Sequence, residues 1–257
     1  MFEKSVADLK FLNGDMTLAA EMYHEGAREG DSYAAFSYGY CLMTGQGVRQ
    51  DLAEAKSFFG FSKESDEGES YYNIAMIYLE GGCGVPKDYL KARLNLEASA
   101  ARGCLEAKLY LGMAYTSGCM FTPEVVRITM IPTHIPEYRR EMYYLEGDVE
   151  DFERDEDERY KAIRQDASLA FSYFQDASRH KYSPFLSDLI AKGKFLYARC
   201  FVDGLGTDFD RDKSVRLMFL AERAGSQEAK IYIAENGLTR DMLKSSPRGA
   251  LKGGRNS

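Results

Sequence analysis

Tryptophan is absent from this chain, proline is held to 6 residues and histidine to 3. Scarce proline leaves long stretches free to be helical, because nothing removes the backbone N–H groups that a helix needs. The three histidines, His24, His134 and His180, are far apart, and none of the five cysteines (41, 83, 104, 119 and 200) stands in CxxC spacing. That layout argues against a structural zinc site and against a disulfide framework, and it suits free thiols in a reducing compartment. No window approaches the ~20 apolar residues of a membrane span. The first ten residues carry acidic side chains where a signal peptide needs an apolar run. A cytoplasmic location is expected on these grounds, with no membrane partner. The formal charge of −7 lacks the basic footprint of a general nucleic-acid binder.

What the sequence does have is repetition. Gly45-Gln46-Gly47-Val48 with Asp51 returns as Gly82-Cys83-Gly84-Val85 with Asp88, and again as Gly204-Leu205-Gly206 with Asp210. In all three the aspartate lies four residues past the last glycine. Glycine ends a helix in the left-handed conformation, and an aspartate just beyond it accepts from the free amides of the next helix. Asp15 and Asp166 open similar segments without the glycine pair. Asp-x-x-x-Ala runs from Asp15, Asp51, Asp88 and Asp166, at spacings of 36, 37 and 78 residues, and Asp210 follows 44 later. A unit near 36 residues, with two inserted stretches, accounts for the series.

The second half of each unit repeats as closely. Aligned on Gly45, Gly81, Gly118 and Gly204, the residue six earlier is small (Gly39, Ala75, Gly112, Ala198) and the residue seven earlier is large (Tyr38, Ile74, Leu111, Tyr197). Such offsets trace one face of a helix on which large side chains fill gaps and small ones admit a neighbouring backbone. Leucine at Gly112 is expected to overpack that contact by ~1–3 kcal/mol. Each unit is therefore read as two antiparallel helices, and the fold class as all-α: an α-solenoid of about five helix pairs with a long insertion after the third. The boundaries expected are 1–14 for an N-terminal capping helix, 15–118 for three repeats, 119–165 for the insertion, 166–237 for two repeats with the last as a cap, and 238–257 for a flexible tail.

Taken together, Asp-x-x-x-Ala, Ala-x-x-x-Leu-Gly-x-x-Tyr and the Gly-x-Gly-Val ending resemble the Sel-one-like repeat, a relative of the tetratricopeptide repeat. The best-matching run is Ser99 to Gly103, then Ala107, Leu111-Gly112, Tyr115 and Gly118. The resemblance implies a scaffold or adaptor that binds proteins or peptides, without conserved catalytic residues, and no metal or cofactor is expected. Some secreted members of the family bridge the two helices of each unit with paired cysteines, a spacing this chain lacks.

By analogy with tetratricopeptide arrays, Tyr23, Phe58, Phe59 and Tyr173 on the first helices are candidate partner contacts. Within the insertion, Val125 to Ile131 reads as extended and Tyr138 to Tyr144 as a short helix. Tyr138, Arg139, Arg140 and Tyr143 form an aromatic-basic patch of the kind enriched at interfaces. The acidic run from Gly147 to Glu158 lacks the layout of a calcium loop. The glycine loops do not precede Lys-Ser/Thr as a phosphate loop requires. An enzyme or enzyme subunit with a site between the insertion and the solenoid, near His134, is the alternative. Self-assembly through an open solenoid end is a third reading, against which the polar C-terminus stands, and a monomer is expected.

Overall fold

The computed structural model describes residues 2–62, 68–120, 125–128, 142–144, 159, 161–181 and 183–243. Eleven helices run through them: α1 (Lys4–Leu12), α2 (Met16–Arg28), α3 (Ser32–Thr44), α4 (Leu52–Ser62), α5 (Glu69–Glu80), α6 (Tyr89–Ala101), α7 (Leu105–Ser117), α8 (Ala167–Ser178), α9 (Ser187–Asp203), α10 (Arg211–Arg223) and α11 (Gln227–Glu235). From α2 onward they form five hairpin pairs. The chain divides into two compact units, Met1–Gln165 with α1 to α7 and Asp166–Ser257 with α8 to α11.

The expected caps are in place. Asp51, Asp88, Asp166 and Asp210 each accept a hydrogen bond through Oδ1 from the backbone amide three residues on, at 2.8, 2.8, 2.9 and 2.9 Å. The backbone amides of Asp51, Asp88 and Asp210 in turn donate to the carbonyls of Leu42, Tyr78 and Phe201, each three residues before the closing glycine. The loop is thus fastened at both ends, to the helix it leaves and to the helix it starts. Asp15 departs from the pattern: its carboxylate pairs with Lys10 Nζ at 3.1 Å and makes no capping bond. Two caps went unanticipated, Asp31 on α3 and Ser226 on α11, which accept from Ala34 and Ala229.

The glycine pair has a steric role besides its conformation. Gly47 has φ +75°, and a Cβ there would fall on the Met16 carbonyl at the start of α2. Gly206 stands in the same relation to Ala167 at the start of α8. The loops after α3 and α9 therefore close down on the first turn of their own unit's first helix.

The two helices of a pair are buried differently. α3 is buried without interruption from Ala34 to Leu42, because it lies between α2 and α4. Small residues make that possible: a Cβ on Gly39 would meet the Phe59 ring of α4 at 3.1 Å. First helices bury one stripe and show the other to solvent. In α2, α4, α6, α8 and α10 the residues four and eight past the capping-site aspartate are buried: Ala19 and Tyr23, Ala55 and Phe59, Ala92 and Leu96, Ala170 and Phe174, Ser214 and Met218.

At the N-terminus α1 packs on α2 through Ala7 and Phe11. Between them Asp8, 3% exposed, accepts from the hydroxyls of Tyr23 and Tyr33, both at 2.7 Å. At the C-terminus a 3-10 turn, Arg240–Leu243, packs on α10.

After α7 the chain runs to Met120, which is fully buried, and from Arg159 to Gln165 it packs again within the first unit. The Met120 amide donates to the Arg159 carbonyl at 3.3 Å, so the chain leaves and rejoins the array at one point. Arg159 is buried, with its Nε donating to Tyr89 Oη at 3.2 Å, and Ala162 and Ile163 are buried beside it. Between these points β1 (Val125–Ile128) pairs antiparallel with β2 (Met142–Tyr144). Met142–Tyr144 is therefore extended rather than helical, as its pairing with a β-branched strand requires.

Candidate functional surface

Of the eleven exposed large hydrophobic side chains among the described residues, six lie on first helices: Leu18, Phe61, Leu90, Leu94, Leu169 and Leu220. None lies on α3, α5, α7 or α9. Single exposed leucines are ordinary on any protein. A concentration on the first helices is not, and within each compact unit it marks their outward side.

That face has a register. Counted from the aspartate that opens each unit, the outward stripe falls at three, six to seven and ten residues on. In the first unit it comprises Leu18, Glu21, Met22 and Glu25 on α2, then Glu54, Phe58 and Phe61 on α4, then Lys91, Leu94 and Asn95 on α6. The Phe58 ring lies 6.2 Å from His24 of α2, so α4 and α2 are neighbours there. His24 in turn stacks on Tyr38 at 4.6 Å, and Phe58 meets Tyr38 edge-on at 4.8 Å. Burial, then the nearby Glu54 carboxylate, raises the Tyr38 phenol above its ordinary value. Lys56 of α4 and Lys91 of α6 both lie over the Tyr78 ring, at 5.1 and 5.5 Å, which ties those helices together at the same level. In the second unit the corresponding stripe holds Leu169 and Tyr173 on α8, and Leu217 and Leu220 on α10.

Two of the candidate contacts are corrected by this register. Tyr23 and Phe59, expected at the surface, are 2% and 0% exposed. They stand eight residues past their aspartates, on the buried stripe, where Tyr23 holds Asp8 and Phe59 packs against Gly39 and Phe36. Phe58 and Tyr173, seven residues past theirs, are half-buried on the outward stripe. One residue is a rotation of about 100° around a helix, and that separates the two sets. Tyr138, Arg139 and Arg140 lie outside the described residues, as do His134 and the acidic run. Tyr143 lies on β2, in register with Arg127.

The remaining chemistry is structural. Burial pushes the Cys41 and Cys200 thiols up to about 12, and raises that of Cys104, next to which stands Glu106. A thiol held protonated is a poor nucleophile, so the position of Cys104 at the start of α7 does not activate it. None of the five cysteines is in a disulfide. A shallow cavity of about 470 Å³ lies at the start of α10, among Phe201, Phe209 and the carboxylates of Asp208, Asp210 and Asp212. Asp210 there is committed to its capping bond. No described helix is long and apolar enough to cross a membrane.

Comparison with known proteins agrees with this architecture. The family model described as the Sel1 repeat matches residues 32–61, 68–104, 160–182 and 191–226. Three of these windows pair a second helix with the first helix after it. Among curated proteins, chitin synthase regulatory factor 3 of Schizosaccharomyces pombe is 33% identical over 70 residues, which is 27% of this chain and 8% of that protein. The chain thus spans less than a tenth of that relative's length. Among solved structures, a Sel1 repeat protein from Oxalobacter formigenes superposes with a TM-score of 0.60 at 18% identity, over 86% of this chain and 50% of the other. The protective antigen c5321 of uropathogenic Escherichia coli, which has the SLR fold, gives 0.45 at 16% identity, over 88% and 46%.

Proposed function

Because the chain belongs to the Sel1 repeat family, we propose that it is a non-enzymatic scaffold that binds a protein or peptide partner on the outward face of its first helices. The observation that carries this reading is the concentration of the repeats' exposed large side chains on the first helices, six of them against Ile231 on the last helix and Phe209 in the loop before α10. Exposed apolar residues grouped on one face mark interaction surfaces. Helical repeat arrays present such faces to partners. Phe58 and Tyr173 belong to the contact set, joined by Leu18, Phe61, Leu94, Leu169 and Leu220. Tyr138, Arg139, Arg140 and Tyr143 are proposed as a second contact region in the inserted stretch.

The name of the Schizosaccharomyces pombe relative, a regulatory factor, is in keeping with a scaffold that controls other proteins. Five cysteines outside any disulfide suit a reducing, cytoplasmic setting. The test compares the full chain with a Leu18→Ser/Phe61→Ser/Leu94→Ser variant in chemical cross-linking against extract from the source cells. The variant keeps its melting midpoint, since all three side chains are more than two-fifths exposed, and loses the cross-linked species. Retention of every species by the variant would overturn the reading.

A further inference from the structure

Resting on that scaffold reading, we propose that the partner segment docking on α2, α4 and α6 is a peptide with a large apolar anchor flanked by lysine or arginine. The outward stripes of these helices are charged as well as apolar, and the charges are unbalanced. Glu21 and Glu25 lie one turn apart on α2, on the stripe of Leu18; Glu54 lies on α4, on the stripe of Phe58 and Phe61. Among the described residues none of these three carboxylates has an ion pair. The cation on the stripe of α6, Lys91, is met by Asp88 at 2.8 Å, within its own cap.

The face therefore offers exposed apolar side chains and three carboxylates, against which stand Lys91, already paired with Asp88, and Arg28 at the far end of α2, so negative charge predominates. Like charge brought against such a surface is repelled, while a basic segment gains attraction during approach and at the rim of the contact. The array holds the carboxylates in place. Glu21 and Glu25 stand on a helix buried along its other side through Ala19 and Tyr23, and Glu54 stands in the first turn of α4, fixed by the Asp51 cap. The apolar part of the contact is offered by Leu18 on α2 and Phe61 on α4, which are 43% and 54% exposed.

The test selects short random peptides from a displayed library on the full chain at low salt. A selected peptide is then titrated by fluorescence anisotropy against the wild type, a Glu21→Gln/Glu25→Gln/Glu54→Gln variant, and Phe61→Ser. The expected peptides combine Leu or Phe with Lys or Arg. They bind the triple variant about tenfold more weakly, weaken with added salt, and are lost on Phe61→Ser. Peptides that are acidic or uncharged, or that bind the triple variant unchanged while failing on Phe61→Ser, would overturn the basic-segment inference and leave the scaffold reading standing. Peptides indifferent to both variants, or no enrichment at all, would overturn both. Light scattering that finds a self-associated chain, dispersed by Phe61→Ser, would assign the face to a second copy and also overturn the inference.

Discussion

The hydroxyl of Tyr23 donates to the carboxylate of Asp8 across 2.7 Å, and Tyr33 donates to the same oxygen at the same distance. One aspartate on α1 thereby holds two tyrosines of the first repeat, and with them the whole N-terminal helix. Replacing Asp8 by Ala leaves two phenols without their acceptor in a closely packed region. The expected cost is about 2–4 kcal/mol, read as a drop in the urea midpoint, with hydrogen exchange fastest in α1. An Asp8→Ala protein as stable as the wild type would show that the latch contributes nothing.

The same contact predicts alkaline lability. Burial first, then the Asp8 carboxylate, holds the Tyr23 and Tyr33 phenols above their ordinary value of 10.0, and burial does the same to Tyr72. The folded chain keeps these protons when the unfolded chain sheds them. Their contribution is thus complete below about pH 10 and is lost as pH rises beyond it, by up to ~1.4 kcal/mol per pH unit for each group. Cys41 and Cys200, pushed up to about 12 from 9.0, act in the same sense from a lower starting pH. Urea midpoints measured at about pH 8, 10 and 11 should fall progressively; a level series contradicts the assignment.

Gly47 and Gly84 separate conformation from contact. Both have positive φ, +75° and +82°, but a side chain at Gly84 meets nothing within 4 Å while one at Gly47 meets the Met16 backbone. Gly84→Ala should cost about 1–2 kcal/mol for the left-handed backbone alone. Gly47→Ala should cost a further ~1–3 kcal/mol for the overlap. Equal melting shifts for the two would remove the close approach from the account of the loop.

Much of this fold was legible because it is written five times. A glycine-to-aspartate offset that recurs has one economical explanation, and the caps at Asp51, Asp88, Asp166 and Asp210 bear it out. Asp15 opens the same Asp-x-x-x-Ala pattern, though without the glycine pair, and does not cap, because Lys10 at the end of α1 takes its carboxylate. The small residues before each closing glycine revealed the packed second helices. The outward stripe was less visible, since Phe58 and Phe59 differ by one place in a run of aromatics and only the rotation of α4 tells surface from core. Asp8 gave no signal at all: it is a lone acidic residue in a short helix, and its partners lie 15 and 25 residues away.

Excising residues 121–158 tests how the inserted stretch relates to the array. Its two ends meet through the Met120–Arg159 backbone hydrogen bond, and Met120, Arg159, Ala162 and Ile163 are all buried on the array side. A short Gly/Ser linker in its place should change stability by no more than about 1 kcal/mol. Loss of cooperative unfolding would mean that the stretch helps to hold the repeats.

The central claim is that partners dock on the first helices, and a photo-cross-linking side chain placed at single positions tests it most directly. With a library-selected peptide bound, the probe at Leu18 or Phe61, both exposed on first helices, should cross-link, and the probe at Ser117, exposed at the end of second helix α7, should not. Cross-links from Ser117 with none from Leu18 or Phe61 would contradict the account.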